Sequence, residues 1–521
     1  MTGSSDRPQT PAGGNGSPAS RDLREAAAGP LAQRLSPKYL EQHCLLPLDV
    51  APDGSVRIAT GRPLDPTVVD ELRLAFEKPI TLIDAQAAEI EAAILSAQSE
   101  SGSETLDLEA VEVGAGDGEG EALDDLRALA SRAPVIKLVN LMLLEALEHR
   151  ASDVHVESTT DGLRVRQRID GVLHDVATHP RQYQAAVISR LKIMANLNIA
   201  ERRVPQDGRV RLRLSDRELD VRVSTLPTVH GEGVVLRILD RAMGIRDLGA
   251  LGMDGDTERR FGRLIQRPNG IILVTGPTGS GKTTTLYAAL RRINTSAVKI
   301  ITVEDPVEYQ VEGLTQIPVN PRAGRTFASA LRSILRHDPD VIMVGEMRDR
   351  ETAEIAIQAA LTGHLVFSTL HTNDAPGGVT RLLDMGVEPY LVAATVQGIL
   401  AQRLVRTICP ECKVPYRPTA EENRRAEAAG FGKGMRRFRS GGGCGYCAHT
   451  GYRGRAGVYE LLVMTEGLRS AVARGATLDQ LRHDAESAGM VPLERAAWAK
   501  AAEGETTIAE ALRIASEEMA G

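Results

Sequence analysis

The stretch IILVTGPTGSGKTTTLYAALRRI, residues 271–293, decides the fold. A strand-like apolar run leads into a GxxxxGK[ST] loop, and a helical segment follows, which is the context that turns this pattern into a phosphate site. The glycines admit backbone conformations that other residues resist, so successive N–H groups can turn inward toward phosphate oxygens. The start of the helix adds the positive end of its dipole. Gly276, Pro277, Thr278, Gly279, Ser280, Gly281, Lys282, Thr283 and Thr284 are therefore the candidate nucleotide-binding residues. Lys282 is placed to reach the β- and γ-phosphates, and Thr283 to offer its hydroxyl to Mg2+. The expected ligand is a nucleoside triphosphate.

Working outward, VKIITVE (298–304), VIMVGE (341–346) and LVFSTL (365–370) repeat the short apolar pattern, with helical segments between them. Such alternation predicts a largely parallel sheet flanked by helices, with the strand C-termini lining the ligand crevice. Glu304, followed by Asp305, and Glu346 fall at those ends. Two carboxylates there can divide the work of hydrolysis, Glu304 as the water-orienting base and Glu346 as the carboxylate on the Mg2+ side. The plainer reading is surface capping at strand ends. His371 closes the run STLHTN (368–373), with His364 seven residues before it. A lone histidine is usually structural; its functional reading is a sensor of the γ-phosphate or of domain position.

Upstream, residues 129–240 follow a different pattern. Val135, Leu138, Val139, Met142, Leu143 and Ala146 have helical spacing behind Pro134. LRVRQRI (163–169), RVRLRL (209–214) and ELDVRVS (218–224) alternate apolar and polar residues, as antiparallel strands do when their outer face is arginine-rich. Between Arg164 and Arg237, 14 Lys and Arg face 8 Asp and Glu, a local excess of +6. A solvated strand face is the bland explanation.

The remaining chain divides by composition. Residues 1–34 are rich in Gly, Ser, Pro and Ala and read as a disordered tail; residues 35–98 form a small α/β unit. Residues 99–128 read as a flexible linker, since 100–125 carry ten acidic residues and no Lys or Arg. An α/β core is expected over 241–408, a cysteine-bearing insert over 409–460 and a helical end over 461–521. Cys409, Cys412, Cys444 and Cys447 make two CxxC pairs separated by 31 residues, a set suited to tetrahedral Zn2+. A redox-active CxxC is the rival, and it would not need two pairs. Cys44 reads as a buried apolar residue.

The whole chain has 521 residues and a net charge of −7, which excludes a uniformly basic nucleic-acid coat. Five cysteines point to a reducing compartment. No run reaches the ~18 apolar residues of a membrane span, and the first twenty residues lack the apolar core of a secretory signal. A soluble, cytoplasmic protein is expected.

Taken together, GPTGSGKTTT, ITVEDPVEY, DPDVIMVGEMRD, GHLVFSTLHTND and the paired cysteines resemble the type II secretion and type IV pilus assembly ATPases over residues 130–465. The resemblance implies a RecA-like P-loop ATPase core behind a PAS-like α+β domain, working as a homo-hexamer at the cytoplasmic face of the bacterial inner membrane. ATP, Mg2+ and Zn2+ are the implied ligands. ITVEDPVEY corresponds to the family's Asp box, VIMVGE to its Walker B motif and STLHTN to its His box. Arg209 and Arg222 match family positions that reach the triphosphate. Gly233 stands where many relatives carry a basic residue, so no third such contact is expected, and Met347 is a mild apolar change.

The implied partners are the cytoplasmic part of an inner-membrane secretion protein, bound through the N-terminal domain, and an inner-membrane platform protein. Nucleic acid is not expected. The secretion branch is the expectation, because LAQRLVRTICPECK and GYRGRAGVYELL look closest to it. A pilus-assembly ATPase is the alternative, and a RecA-like nucleic-acid translocase a more distant one.

Overall fold

A computed structural model of the chain describes some residues of 23–40, residues 43–93 with short breaks, and residues 133–519 except 215–216, 241–246 and 432–436. Two compact units divide it, Met1–Glu112 and Val113–Gly521. In the first, β1 (Leu45–Val50) pairs antiparallel with β2 (Val56–Thr60). β2 runs parallel to β3 (Ile80–Asp84), and α1 (Pro66–Phe76) connects them. Pro66 suits the first helical position. Val68, Leu72 and Phe76 then recur every four residues and join Leu45, Leu46, Val56 and Ile58 in one core. Leu23 and Ala32 are buried in that core as well, ahead of the expected boundary at residue 35. Ala26 and Leu31 pack against it and Ala32–Arg34 form a 3-10 turn, so the expectation of a disordered tail does not hold over all of 1–34. Residues 1–22 of that tail and the acidic stretch 99–128 lie outside the described residues.

The second unit opens with α2 (Ala133–Glu148), which buries Val135, Val139, Met142, Leu143 and Ala146, the face that helical spacing marks. There follow β4 (Asp153–Ser158), β5 (Gly162–Ile169), β6 (Val172–Pro180), α3 (Gln184–Met194), β7 (Gln206–Leu214), β8 (Arg217–Thr228) and β9 (Gly231–Asp240). The strands form one antiparallel sheet in the order β6-β5-β4-β9-β8-β7. In β5, Leu163, Val165 and Ile169 are buried while Arg164, Arg166 and Arg168 are half-buried. Arg209 and Arg222 are register partners on β7 and β8, so both occupy one face.

The α/β core comprises α4 (Gly255–Leu264), β10 (Gly270–Thr275), α5 (Lys282–Ile293), β11 (Ile300–Glu304), β12 (Leu314–Pro318), α6 (Phe327–Ile334) and β13 (Val341–Val344). It continues through α7 (Arg350–Leu361), β14 (Leu365–Leu370), α8 (Ala375–Asp384), α9 (Pro389–Thr395) and β15 (Val396–Ile408). With β18 (Tyr452–Val463), the strands line up as β12-β11-β13-β14-β10-β15-β18, all parallel except the β15–β18 pair. Every residue of β10, β13 and β14 is buried, because helices cover both faces of a parallel sheet.

The cysteine-bearing segment leaves this sheet at the end of β15 and returns where Ile408 pairs with Tyr452. It holds β16 (Lys413–Pro415), α10 (Ala420–Ala428) and β17 (Arg439–Gly441). The expected insert of 409–460 therefore needs correction, since Tyr452–Val463 is a strand of the main sheet. Its run GVYELL is buried there. The helical end accordingly begins at Glu466 rather than 461, with α11 (Glu466–Ala473), α12 (Leu478–Ser487), α13 (Leu493–Ala502) and α14 (Ile508–Met519). Among the described residues no helix is long and apolar enough to cross a membrane.

Candidate nucleotide-binding and hydrolysis site

The P-loop leaves the buried strand β10 at Gly276, whose φ of 145° and a neighbouring carbonyl, that of Gln402, only 2.4 Å from any added Cβ make glycine obligatory. Gly281, at φ 88°, then starts α5. Lys282 lies over the loop and donates to the carbonyls of Gly276 (2.7 Å) and Pro277 (3.1 Å). Burial lowers its pKa to about 8, with Glu346 opposing that fall and Arg403 adding to it. Thr283 and Thr284 are exposed on the first turn. Thr275 is tied to the His-box segment, its hydroxyl accepting from the Thr372 N–H at 2.8 Å.

The strand order sets β14 beside β10 and β13 beside β14, with β11 beyond them. Glu346 and His371 therefore approach each other, Nε2 lying 3.6 Å from a Glu346 carboxylate oxygen. The other Glu346 oxygen meets the Arg348 guanidinium at 2.6 Å. Burial and then Lys282 pull His371 below the ordinary histidine pKa, against the opposing pull of Glu346. Glu346 and the exposed hydroxyl of Thr283 are oxygen donors of the kind a Mg2+ ion takes. Met347 is buried in the core, as its apolar character requires.

Glu304 has different surroundings. It is 3% exposed. One carboxylate oxygen accepts from the Thr302 hydroxyl (2.5 Å) and the Gln316 amide (3.1 Å), and the other from the Tyr287 hydroxyl. Burial, then the Glu304 carboxylate, push the pKa of Tyr287 upward, so its proton stays in place to be donated. Neither Tyr287 nor Gln316 follows from a motif. A polar residue inside a helical or strand-like run is the signal that could have found them.

The two arginines have different partners. Arg209 pairs with the buried carboxylate of Asp220 on its own sheet. Arg222 crosses to the α/β core and meets Glu308, in the loop after β11, with Nη2 3.0 Å from Oε2. His364 lies away from this group, its Nδ1 2.9 Å from the Ala359 carbonyl.

The four cysteines come together, their Sγ atoms all within 4.8 Å of one another. Cys409 and Cys444 are 3.9 Å apart, Cys412 and Cys447 3.9 Å, and Cys444 and Cys447 3.8 Å. Four thiolates about 2.3 Å from a tetrahedral Zn2+ stand roughly 3.8 Å from each other, so the set fits that ion. Burial raises the Cys447 pKa, but N–H groups of Cys444 and Gly451 aimed at its sulfur hold it at about 7.

The family model described as Type II/IV secretion system protein matches residues 128–513, and that of the MshEN domain matches residues 16–104. Type II secretion system protein E of Xanthomonas campestris pv. campestris is 50% identical over 490 residues, 93% of this chain and 85% of that protein. The type IV pilus assembly ATPase PilB of Myxococcus xanthus is 44% identical, over 94% of this chain and 87% of its own. Among solved structures, the pilus retraction motor PilT with bound ADP is 27% identical, with a TM-score of 0.51 over 72% of this chain and 96% of that one. With three quarters of its length inside one family model and relatives this similar, the chain belongs to the family of type II/IV secretion system proteins.

Proposed function

We propose that this chain is the ATPase motor of a type II secretion system, hydrolysing ATP to ADP and phosphate to drive pseudopilus assembly and protein export. The observation that carries the reading is the P-loop with Lys282 folded over it between β10 and α5, in a sheet whose strands β13 and β14 bring Glu346 and His371 together at their C-terminal ends.

In this reading the loop N–H groups and Lys282 bind the triphosphate, and Thr283 and Glu346 would hold Mg2+. The ion, when bound, neutralises charge on the transferring phosphoryl group. Glu304 orients the attacking water. Its two oxygens offer about four acceptor positions, and Tyr287, Thr302 and Gln316 occupy three of them. His371 senses the γ-phosphate from beside Glu346. Arg209 and Arg222 bring positive charge from the antiparallel sheet, so that hydrolysis is coupled to the position of that domain. Zn2+ on Cys409, Cys412, Cys444 and Cys447 would fasten the excursion between β15 and β18.

The motor is proposed to act as a homo-hexamer at the cytoplasmic face of the inner membrane. Its N-terminal unit would bind the cytoplasmic part of an inner-membrane secretion protein, and its core would work on a membrane platform. Pilus assembly is the second reading, supported by the PilB relative at 44% identity against 50% for the secretion protein. Replacing the chromosomal gene by Lys282→Ala separates them. Loss of extracellular enzyme secretion with normal pili supports secretion, whereas loss of pili with normal secretion overturns it.

A further inference from the structure

Gln402 lies on β15, 122 positions after Ser280, yet it touches the P-loop from two sides. Its Nε2 donates to the Ser280 carbonyl at 2.8 Å, and its Oε1 accepts from the Thr285 hydroxyl at 2.7 Å. Gln402 is 2% exposed, Thr285 0% and Ser280 4%, so water cannot take the place of either partner. The same residue closes on the loop glycines. A Cβ on Gly276 would stand 2.4 Å from the Gln402 carbonyl oxygen, and one on Gly281 2.8 Å from its Nε2.

Ser280, Gly281 and Thr285 span the turn from the loop into α5, where the N–H groups face a bound phosphate. Gln402 supplies a donor to the loop side of that turn and an acceptor to the helix side. A glutamate there would set a carboxylate against the Ser280 carbonyl, and an asparagine is one methylene short.

We propose that Gln402 is a positioning residue for the nucleotide, holding Ser280 and Thr285 so that the loop N–H groups are arranged for phosphate before it arrives. The proposal rests on the reading of residues 276–284 as the nucleotide loop. A loop arranged in advance spares the ligand the cost of ordering it, so ADP and ATP gain alike. Loss of uniform binding raises KM and leaves kcat alone. Losing a buried hydrogen-bond partner should weaken affinity about tenfold.

The test uses the full-length protein, with Mg-ADP titrated calorimetrically and ATP turnover followed at steady state. Gln402→Met and Thr285→Val are expected to raise the ADP Kd and the ATP KM about tenfold, with kcat within about threefold of the parent. The double variant should be no weaker than Gln402→Met alone, because Gln402→Met already removes the Thr285 hydrogen bond along with that to Ser280. Thr285→Ser, which keeps the hydroxyl, should restore parental affinity. Lys282→Ala is measured alongside. Parental ADP affinity in that variant overturns the nucleotide-loop reading itself. Weak binding there, with parental affinity in both Gln402→Met and Thr285→Val, overturns only the role of Gln402, whatever their melting temperatures. Should Gln402→Met not fold, Thr285→Val against Thr285→Ser decides the matter alone.

Discussion

Arg222 of the antiparallel sheet and Glu308 of the ATPase core form an ion pair 3.0 Å long, 86 positions apart in sequence. Glu308 lies four residues beyond Glu304, in the loop that leaves the same strand. The pair thus ties the arginine-bearing sheet to the segment that carries a proposed catalytic carboxylate.

Arg222→Ala should lower kcat at least tenfold in the assembled enzyme while nucleotide affinity changes little, because an arginine acting on transition-state charge contributes ~10³–10⁵ in related chemistry. Stability should hardly move, since partly exposed pairs of this kind contribute about 0–1 kcal/mol. Lys should rescue poorly, for an ammonium lacks the planar fork. Steady-state kinetics and thermal melts check this, and turnover within twofold of the parent removes Arg222 from the mechanism.

Arg209→Ala should behave differently. Its guanidinium faces Asp220, which is 2% exposed. The change should therefore cost stability, by about 1–2 kcal/mol, in addition to any loss of turnover. Denaturant unfolding measures the first effect separately from the second.

Glu346→Gln should keep the fold and bind nucleotide, yet hydrolyse at least a hundredfold more slowly, since it removes a charge from the Mg2+ side of the site. Glu304→Gln should slow turnover comparably and should also loosen the loop after β11, because the new amide meets three donors. Single-turnover hydrolysis and proteolysis of that loop are the measurements. Full activity in Glu346→Gln would sink its role.

Purified protein kept reduced should contain about one Zn2+ per chain, bound by four thiolates. Cys412→Ser should lose the metal and expose the excursion between β15 and β18 to proteolysis. Basal ATP hydrolysis should persist, because Thr283, Glu304 and Glu346 take no part in the cluster. Elemental analysis of the reduced parent showing no zinc contradicts the assignment.

Glu510 on α14 makes one limb of the stability profile acid-sensitive. Burial pushes its pKa upward, but hydrogen bonds from Arg513 and from the Arg406 backbone and side chain outweigh that and hold it below the usual 4.5. A group depressed by folding contributes stability above its unfolded pKa, and that contribution fades as pH falls through the lower folded value. Glu510→Gln should thus be destabilised relative to the parent at neutral pH, with the gap narrowing in acid below pH 4.5. A gap that stays constant down to the acid transition refutes it.

Sequence alone determined the features in which one short segment both folds and carries the chemistry. The P-loop lies between a strand and a helix of its own, and β10, β13 and β14 are continuous apolar runs because both faces are covered. The helical spacing of α2 and the alternation in β5 and β7 are equally local signals. The cysteines announce themselves by spacing.

Tertiary structure decided what depends on pairing between distant segments. β15 and β18 carry no clear strand signal in sequence, since Gln402, Arg403 and Glu460 interrupt their apolar runs. All three are buried, and Gln402 is held there by Ser280 and Thr285. Tyr287 and Gln316 reach Glu304 only once α5 and β12 flank β11, and Arg222 finds Glu308 only across the two sheets. A buried polar side chain needs a partner whose position the chain topology sets. Its sequence neighbours do not reveal that partner, and the geometry around these carboxylates could be read only from the folded chain.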